Sequence, residues 1–212
     1  VVAFNLSQPT PGCLLNKLLN PFKQALAENR PQIGLWLGLA DAYSAELCAG
    51  AGFDWLLLDG EHAPNDLRSI LGQLQAIAPS ASHPIARIPV GAFQNVSRLF
   101  DAGVSGVIAP MINTMADAKA FAAYSKYPPM GERSWGSYGG LGASGLDQNS
   151  YLKAANSFSM TFAMIETREA MAIVDDILAL DGIDALFVGP SDLSIALSGG
   201  ARVDATAREV DE

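Results

Sequence analysis

Six short apolar segments recur along the chain, and most are followed by residues with the spacing of an amphipathic helix. Short apolar runs without alternation are typical of strands buried on both faces of a parallel sheet. The alternation of strand and helix therefore predicts a parallel α/β fold, either a doubly wound sheet or most of a barrel, and the pattern alone leaves both open. The predicted strands are residues 33–37, 55–58, 84–88, 106–109, 160–165 and 185–188.

The segments between the strands carry helix signals. Asp41 and Thr167 are suited to cap the helices that follow the first and fifth strands, and Asn65 is predicted to cap the helix after the second. The apolar spacing after Thr167 predicts one helix through Leu178. Further helices are expected over 42–49, 93–102 and 115–124.

Residues 127–150 interrupt this rhythm because they are rich in glycine and show little periodicity. A long loop inside a compact domain is usually functional or mobile. We expect a loop here that ends in a short helix near 151–156. Arg133 and Trp135 are predicted to be lid or interface residues.

Charge and composition exclude several classes of protein. The net charge of −9 and the lack of a basic stripe argue against a nucleic-acid partner. No apolar run reaches the ~18 residues of a membrane span. Two cysteines without a CxxC motif, and no basic start followed by an apolar core, favour a cytoplasmic protein. We expect one globular domain over 21–212, preceded by an extension of unknown role over 1–20.

Ionisable residues recur where predicted strands end, at Asp59, Arg87, Glu166 and Asp192. The carboxyl ends of parallel strands meet at one rim, so these side chains should lie close together. Glu166 and Asp192 are a pair of hard oxygen ligands suited to Mg²⁺ or Mn²⁺. The alternative is that they are a helix cap and a loop charge.

His62 lies three residues beyond Asp59, just past the second strand. A carboxylate beside an imidazole raises its basicity, which suits a general base near neutral pH. The alternative is a surface-loop histidine. His83 begins the third strand at the opposite rim, where a structural role is expected.

Two further features point to an anionic ligand. Arg87 stands in an apolar strand, where it either forms a structural salt bridge or binds a substrate carboxylate or an enolate. Residues 189–192 resemble an anion-binding turn. The backbone N–H groups of Ser191 and Asp192 would lie at the start of a helix and face a carboxylate.

Six motifs in order, covering about residues 22–198, resemble the HpcH/HpaI aldolases. They are GLWLGL (34–39), AGAGFDWLLLDGEHAP (49–64), IAPM (108–111), YPPMGERSWG (127–136), MIETREA (164–170) and GIDALFVGPSDLS (182–194). The resemblance implies a (β/α)8 barrel of the phosphoenolpyruvate/pyruvate superfamily, with about six of its eight units in this chain.

The resemblance also implies a class II aldolase, which cleaves 4-hydroxy-2-oxo acids to pyruvate and an aldehyde with Mg²⁺, Mn²⁺ or Co²⁺. Glu166 and Asp192 would hold the metal, and Arg87 would stabilise the enolate. His62, oriented by Asp59, would take the C4 hydroxyl proton.

Substrate contacts follow from the same motifs. The N–H groups of Ser191 and Asp192, after Gly189, would grip the pyruvate carboxylate. Trp36 would line the pocket, although an ordinary core aromatic is the alternative. The family implies a homo-oligomer, commonly a hexamer.

Two departures from the family leave alternatives open. Some members have Gln where Met164 stands. Members also continue beyond Glu212 through two more strands, so an inactive subunit with only an assembly role is one alternative. A CoA-thioester lyase of the citrate lyase β type is the other, and the DGEHAP segment argues against it.

Overall fold

The computed structural model describes residues 20–211, which form one six-stranded parallel sheet with its strands in chain order. The strands are β1 (Gly34–Leu37), β2 (Trp55–Asp59), β3 (His83–Arg87), β4 (Gly106–Ala109), β5 (Met160–Ile165) and β6 (Ala185–Val188). The helices are α1 (Pro21–Ala27), α2 (Ala42–Ala49), α3 (Leu67–Ile77), α4 (Gln94–Ala102), α5 (Met115–Ser125), α6 (Tyr138–Ser144), α7 (Gln148–Phe158), α8 (Arg168–Ala172), α9 (Val174–Leu178), α10 (Pro190–Leu197) and α11 (Arg208–Asp211). All six predicted strands are confirmed, to within two residues at each end.

Side-chain caps begin several helices as predicted, with one correction. Asp41 accepts the Ser44 N–H at 2.7 Å, and Thr167 accepts the Ala170 N–H at 3.1 Å. The predicted cap at Asn65 is wrong, because α3 is capped by Asp66, which exchanges hydrogen bonds with Ser69 in a capping box. Both residue types cap helices well, so composition does not separate two neighbours.

Asn65 instead ties the end of β2 to α3. Its amide nitrogen donates to the Asp59 carbonyl at 2.8 Å, and its amide oxygen accepts from Gln73 at 2.6 Å. These bonds hold the turn that contains residues 60–64 against the start of α3.

Two other helix predictions are wrong in detail. The helix predicted after Thr167 is broken in two at Ile173, whose ψ of 17° interrupts the helical path. The region 127–150 is not one loop, because it contains α6 and the start of α7, which Asp147 caps. In α6 the glycines allow close packing: a Cβ at Gly139 would lie 2.7 Å from the Asp101 carbonyl at the end of α4.

The sheet curls, as a barrel wall does. A flat sheet would place β1 and β6 about 24 Å apart, at ~4.8 Å per strand. The rings of Trp36 on β1 and Phe187 on β6 are instead 6.0 Å apart, and Phe187 also meets Trp55 on β2 at 6.4 Å. The described residues therefore form a six-stranded half-barrel, and a complete eight-unit barrel stays a prediction.

Two apolar layers flank the strands. Every second strand residue points inward and joins a cluster in the barrel, while the others pack against the helices. Phe22 on α1 closes the end where the strands begin, with ring centres 5.8 to 6.2 Å from His83, Trp55 and Phe162. Burying such a side chain contributes roughly 1.5–3 kcal/mol. Because its ring packs against Phe22 at the end where the strands begin, His83 has the structural position predicted for it.

A buried ammonium group lies at the same end of the barrel. Lys126 is 1% exposed, and its Nζ donates to the Ser159 carbonyl at 2.7 Å, to the Asn156 carbonyl at 3.1 Å and to Asp184 Oδ2 at 2.8 Å. Burial lowers the pKa of Lys126, and the Asp184 carboxylate opposes this effect. These bonds join the end of α5 to the starts of β5 and β6.

Within residues 20–211, no helix has the length and apolar character that crossing a bilayer requires. The predicted extension 1–20 falls outside the described residues except for Asn20. That residue caps α1 and donates to the Ser105 and Phe158 carbonyls.

Candidate active site

The rim at the carboxyl ends of the strands is built from inward-facing positions. Asp59 and Arg87 are the last residues of β2 and β3, and their registers align across the sheet. Glu166 follows β5 and Gly189 follows β6, each two residues beyond an inward-facing side chain of the barrel interior. Since strand side chains alternate, all four continue the inward rows.

Arg87 and Asp59 form a bidentate ion pair inside the rim. Arg87 Nε lies 2.9 Å from Asp59 Oδ1, and Nη2 lies 2.7 Å from Oδ2. Trp36 Nε1 also donates to Oδ2 at 3.0 Å, and the Arg87 guanidinium lies 4.8 Å from the centre of the Trp36 ring. Burial would raise the pKa of Asp59, but hydrogen bonds from Arg87, Trp36 and the Glu61 N–H lower it to about 2.

Glu61 is a second carboxylate on the same guanidinium. Its Oε2 lies 2.8 Å from Arg87 Nη1, although the angle does not meet hydrogen-bond geometry. The side chain is 11% exposed. Burial raises the pKa of Glu61, against the opposing fields of Arg87 and His62. Arg87 thus contacts two carboxylates, that of Asp59 at the end of β2 and that of Glu61 in the turn after it.

His62 lies at the open side of this cluster. Its side chain is 70% exposed, and Nε2 lies 3.8 Å from Glu61 Oε2. Asp59 contacts the backbone of His62, whose N–H is 3.4 Å from Oδ1. The expected contact between the Asp59 carboxylate and the imidazole is not formed, because Arg87, Trp36 and backbone N–H groups occupy both Asp59 oxygens.

Glu166 is buried beside the end of β6. Its Oε2 accepts the Met111 N–H at 2.9 Å, and Met111 adopts a left-handed backbone with φ of 53° to present that group. Gly189 leaves room for the carboxylate, because a Cβ there would lie 2.5 Å from Oε1. Burial raises the pKa of Glu166, and the Asp192 and Glu61 charges add to this while the Met111 N–H and Arg87 oppose it.

Asp192 and Ser191 lie in the first turn of α10, after Gly189. Burial raises the pKa of Glu166 and of Glu61, and the negative charge of Asp192 adds to both shifts. The first N–H groups of a helix have no partner within it, so those of Ser191 and Asp192 are available to an anion. The structure therefore gathers Trp36, Asp59, His62, Arg87, Glu166, Gly189, Ser191 and Asp192 at one rim.

Two contributors were missed in the sequence. Glu61 belongs to the DGEHAP segment, but its direction depends on the turn after β2. Met111 acts through a backbone N–H, which its side chain does not signal.

Arg133 and Trp135 lie away from this rim. Arg133 is buried, with Nη2 bonded to Asp101 Oδ1 at 2.8 Å and to Ser137 at 2.6 Å. Asp101 belongs to the end of α4, which leads into the start of β4, so this cluster is on the opposite side of the sheet. A lid role for these residues is therefore wrong, and an interface role stays a prediction.

Of the rim carboxylates, Asp59 and Glu61 form ion pairs with Arg87, whereas Glu166 and Asp192 form no ion pair with a described residue. Within residues 20–211, no three or more His, Cys, Asp or Glu side chains converge in a geometry that could hold a metal. A two-carboxylate set is nevertheless what Mg²⁺ typically takes from a protein, with water and substrate oxygens completing its shell.

Comparison with known proteins identifies the family. The sequence model of the HpcH/HpaI aldolase/citrate lyase family matches residues 32–209. This chain belongs to that family. A hydroxypyruvate/pyruvate aldolase of Deinococcus radiodurans is 47% identical over 183 residues, which are 86% of this chain and 66% of the relative. A 4-hydroxy-2-oxo-heptane-1,7-dioate aldolase of Salmonella arizonae is 49% identical over 175 residues, or 82% of this chain and 66% of the relative. This HpcH/HpaI chain thus spans slightly less than two thirds of the length of these relatives.

Solved structures of the HpcH/HpaI family share the fold. A family protein from Burkholderia cenocepacia J2315 superposes with a TM-score of 0.78 at 34% identity, covering 91% of this chain and 76% of that one. An HpcH/HpaI aldolase from Desulfitobacterium hafniense DCB-2 gives a TM-score of 0.80 at 27% identity, covering 89% and 73%.

Proposed function

We propose that this chain carries the active site of a divalent-metal-dependent pyruvate aldolase, which reversibly cleaves 4-hydroxy-2-oxo acids to pyruvate and an aldehyde. One observation carries the proposal: the Glu166 carboxylate lies against Gly189, directly before the helical turn that contains Asp192, at the rim where Arg87 is buried and His62 is exposed. The aldolase names of relatives at 47–49% identity support it.

The residues present fit a hard cation. Glu166 is held by the Met111 N–H through one oxygen, which leaves the other to bind the ion together with Asp192. Gly189 keeps the space beside that oxygen open. Mg²⁺, Mn²⁺ or Co²⁺ bound there would polarise the 2-oxo group and stabilise the negative charge that develops as C3–C4 breaks.

The other residues then have distinct tasks. The N–H groups of Ser191 and Asp192 bind the substrate carboxylate, and Trp36 forms part of the wall. Arg87, held in place by Asp59, places a fixed positive charge beside the oxygen of the enolate that forms as C3–C4 breaks. His62 removes the C4 hydroxyl proton. We further propose that the functional unit is a homo-oligomer.

The test is metal-dependent pyruvate formation by the full-length protein. EDTA should abolish release of pyruvate from 4-hydroxy-2-oxo acids, and Mn²⁺ or Mg²⁺ should restore it. Glu166→Gln with Asp192→Asn should abolish both turnover and Mn²⁺ binding, whereas exposed Glu46→Gln should change neither.

Absence of turnover by metal-loaded full-length protein, across a panel of such acids, would contradict the proposal. Cleavage of a CoA thioester in the same assay would instead assign the chain to the citrate lyase side of its family. Loss of metal binding together with stable association into oligomers would favour a subunit with only an assembly role.

A further inference from the structure

Asp59 at the end of β2 and Glu61 in the turn after it carry two carboxylates, and the hydrogen-bond capacity of Asp59 is already filled. Asp59 Oδ1 accepts from Arg87 Nε at 2.9 Å and from the Glu61 N–H at 3.0 Å, with the His62 N–H at 3.4 Å. Oδ2 accepts from Arg87 Nη2 at 2.7 Å and Trp36 Nε1 at 3.0 Å. A carboxylate has about four lone-pair sites, so Asp59 has none left for an imidazole.

The second carboxylate is in the opposite situation. Glu61 Oε2 is buried and accepts no hydrogen bond of good geometry from a described residue, although Arg87 Nη1 lies beside it at 2.8 Å. A buried acceptor without a donor is costly, and such groups in native structures need an explanation. Besides Arg87, the side chain that forms an ion-pair contact with this oxygen among the described residues is His62, whose Nε2 is 3.8 Å away.

The His62 ring is free to close that gap. Its side chain is 70% exposed, and of the described carboxylates only Glu61 forms an ion-pair contact with it. A hydrogen bond requires about 2.7–3.2 Å between heavy atoms, so Nε2 must approach Oε2 by roughly 1 Å. Catalytic hydrogen bonds are often long before the substrate binds.

We propose that Glu61, and not Asp59, is the residue that positions His62 as the general base, while Asp59 positions Arg87. This inference rests on the proposed aldolase function and assigns a role to a residue that the site had not used. Nε2–H of His62 donates to Glu61, which leaves Nδ1 as the nitrogen that accepts the proton.

The proton balance follows from this arrangement. As C3–C4 breaks, the C4 hydroxyl proton moves to Nδ1, the C4–O bond becomes the aldehyde carbonyl and the bonding electron pair remains with the pyruvate portion. The imidazolium charge then lies beside Glu61. The enolate takes one proton from water at C3 to give pyruvate, and His62 releases its proton to water, so no net proton is gained or lost.

A double-mutant cycle in the full-length protein tests this division of roles. In the wild-type background, Glu61→Gln should lower kcat for cleavage about 10- to 100-fold. This is less than the whole contribution of a general base, because His62 itself remains. In a His62→Asn background the same change should lower kcat less than about threefold, because the imidazole that Glu61 positions is absent. Asp59→Asn should have its full effect in both backgrounds, since it acts through Arg87.

Two further measurements separate positioning from a merely structural role. The lower limb of the pH profile of kcat should move to lower pH in Glu61→Gln, because the imidazolium loses its anionic partner. Glu61→Asp, which keeps the charge, should recover part of the lost kcat. Thermal unfolding midpoints and Mn²⁺ stoichiometry establish that each variant is folded and loaded, and Glu46→Gln serves as the matched exposed control.

The outcomes are distinguishable. Inactive wild-type protein would refute the proposed function itself. Active wild type, with Glu61→Gln and His62→Asn effects that multiply in full, would overturn the role of Glu61. So would a cycle in which Asp59→Asn, and not Glu61→Gln, loses its effect when His62 is absent.

Discussion

Asp59 and Arg87 face each other at the ends of β2 and β3, and two guanidinium nitrogens meet two carboxylate oxygens at 2.7 and 2.9 Å. Their side chains are 4% and 6% exposed, so neither charge is tolerable without the other. The pair fixes the direction of the guanidinium and thereby leaves Nη1 to Glu61. The acidic rim of the barrel is organised around this one cation.

The pair makes stability depend on pH in the acid range. The pKa of Asp59 is lowered from 3.8 to about 2 in the folded chain, so its contribution is present above about pH 4 and is lost as the pH falls through 2. That shift corresponds to about 2 kcal/mol in all, of which about half is lost by pH 3. Urea unfolding should show the advantage of wild type over Asp59→Asn shrinking by about 1 kcal/mol between pH 7 and 3. A difference that stays constant would contradict the shift.

Gly189 should be required for the carboxylate of Glu166. A Cβ at position 189 would lie 2.5 Å from Glu166 Oε1 and 2.7 Å from Met164 Cε, so Gly189→Ala must displace the carboxylate. We expect Mn²⁺ affinity, measured by calorimetry, to fall about 10- to 100-fold, as it does when groups supporting a ligand are disturbed.

The matched control for this change is Gly142→Ala. A Cβ there meets no atom within 4 Å, and the position lies inside α6, where Ala is the better helix former. This variant should bind Mn²⁺ as wild type does. Equal affinity in both alanine variants would show that Glu166 does not depend on the space at Gly189.

The strands and the common rim could be predicted because they depend on simple regularities. Short apolar runs such as 55–58 are typical of strands buried on both faces of a sheet, and parallel strands bring their carboxyl ends to one side. That is why Asp59 and Arg87, 28 positions apart, could be expected to meet. An open sheet and a barrel have the same pattern of strands and helices, so the sequence pattern does not separate them. The curvature of the sheet does, and the contact between Trp36 on β1 and Phe187 on β6 shows that curvature.

The errors arose where a contact between distant residues overrides a local signal. Glycines disfavour a helix at 138–144, yet α6 forms because those glycines allow its backbone to approach the end of α4. The spacing of Asp59 and His62 predicts that they pair. The strand register instead places Asp59 directly opposite Arg87, which occupies its carboxylate. The roles of Glu61 and Met111 depend on turn geometry that no periodic pattern encodes.

Trp36 should support Asp59 through its indole N–H. Trp36→Phe removes the 3.0 Å hydrogen bond to Oδ2 but keeps a ring beneath the Arg87 guanidinium. A hydrogen bond to a charged group contributes about 1.5–3 kcal/mol, and we expect a loss near the lower end because the ring remains. Urea unfolding at pH 7 measures the change.

Trp135→Phe is the control for that loss. Trp135 is 42% exposed against 41% for Trp36, and it contacts the Tyr127 and Tyr151 rings. No hydrogen bond from its indole N–H to a described residue is present, so its substitution should change stability less. Equal losses in the two variants would assign the effect to ring size instead of the hydrogen bond.

Lys126 should contribute to stability without contributing to turnover. Lys126→Met leaves the Ser159 and Asn156 carbonyls without their donor and removes one cation from Asp184, which Lys23 still contacts. Removing one partner from a buried ion pair typically costs about 3–5 kcal/mol, and the remaining Lys23 contact favours the lower value.

Urea unfolding of Lys126→Met at pH 7 should show this loss, while exposed Lys153→Met should be neutral. Because Lys126 lies where the strands begin, kcat per folded molecule should match wild type, and a fall in kcat at unchanged stability would contradict its placement in a purely structural network.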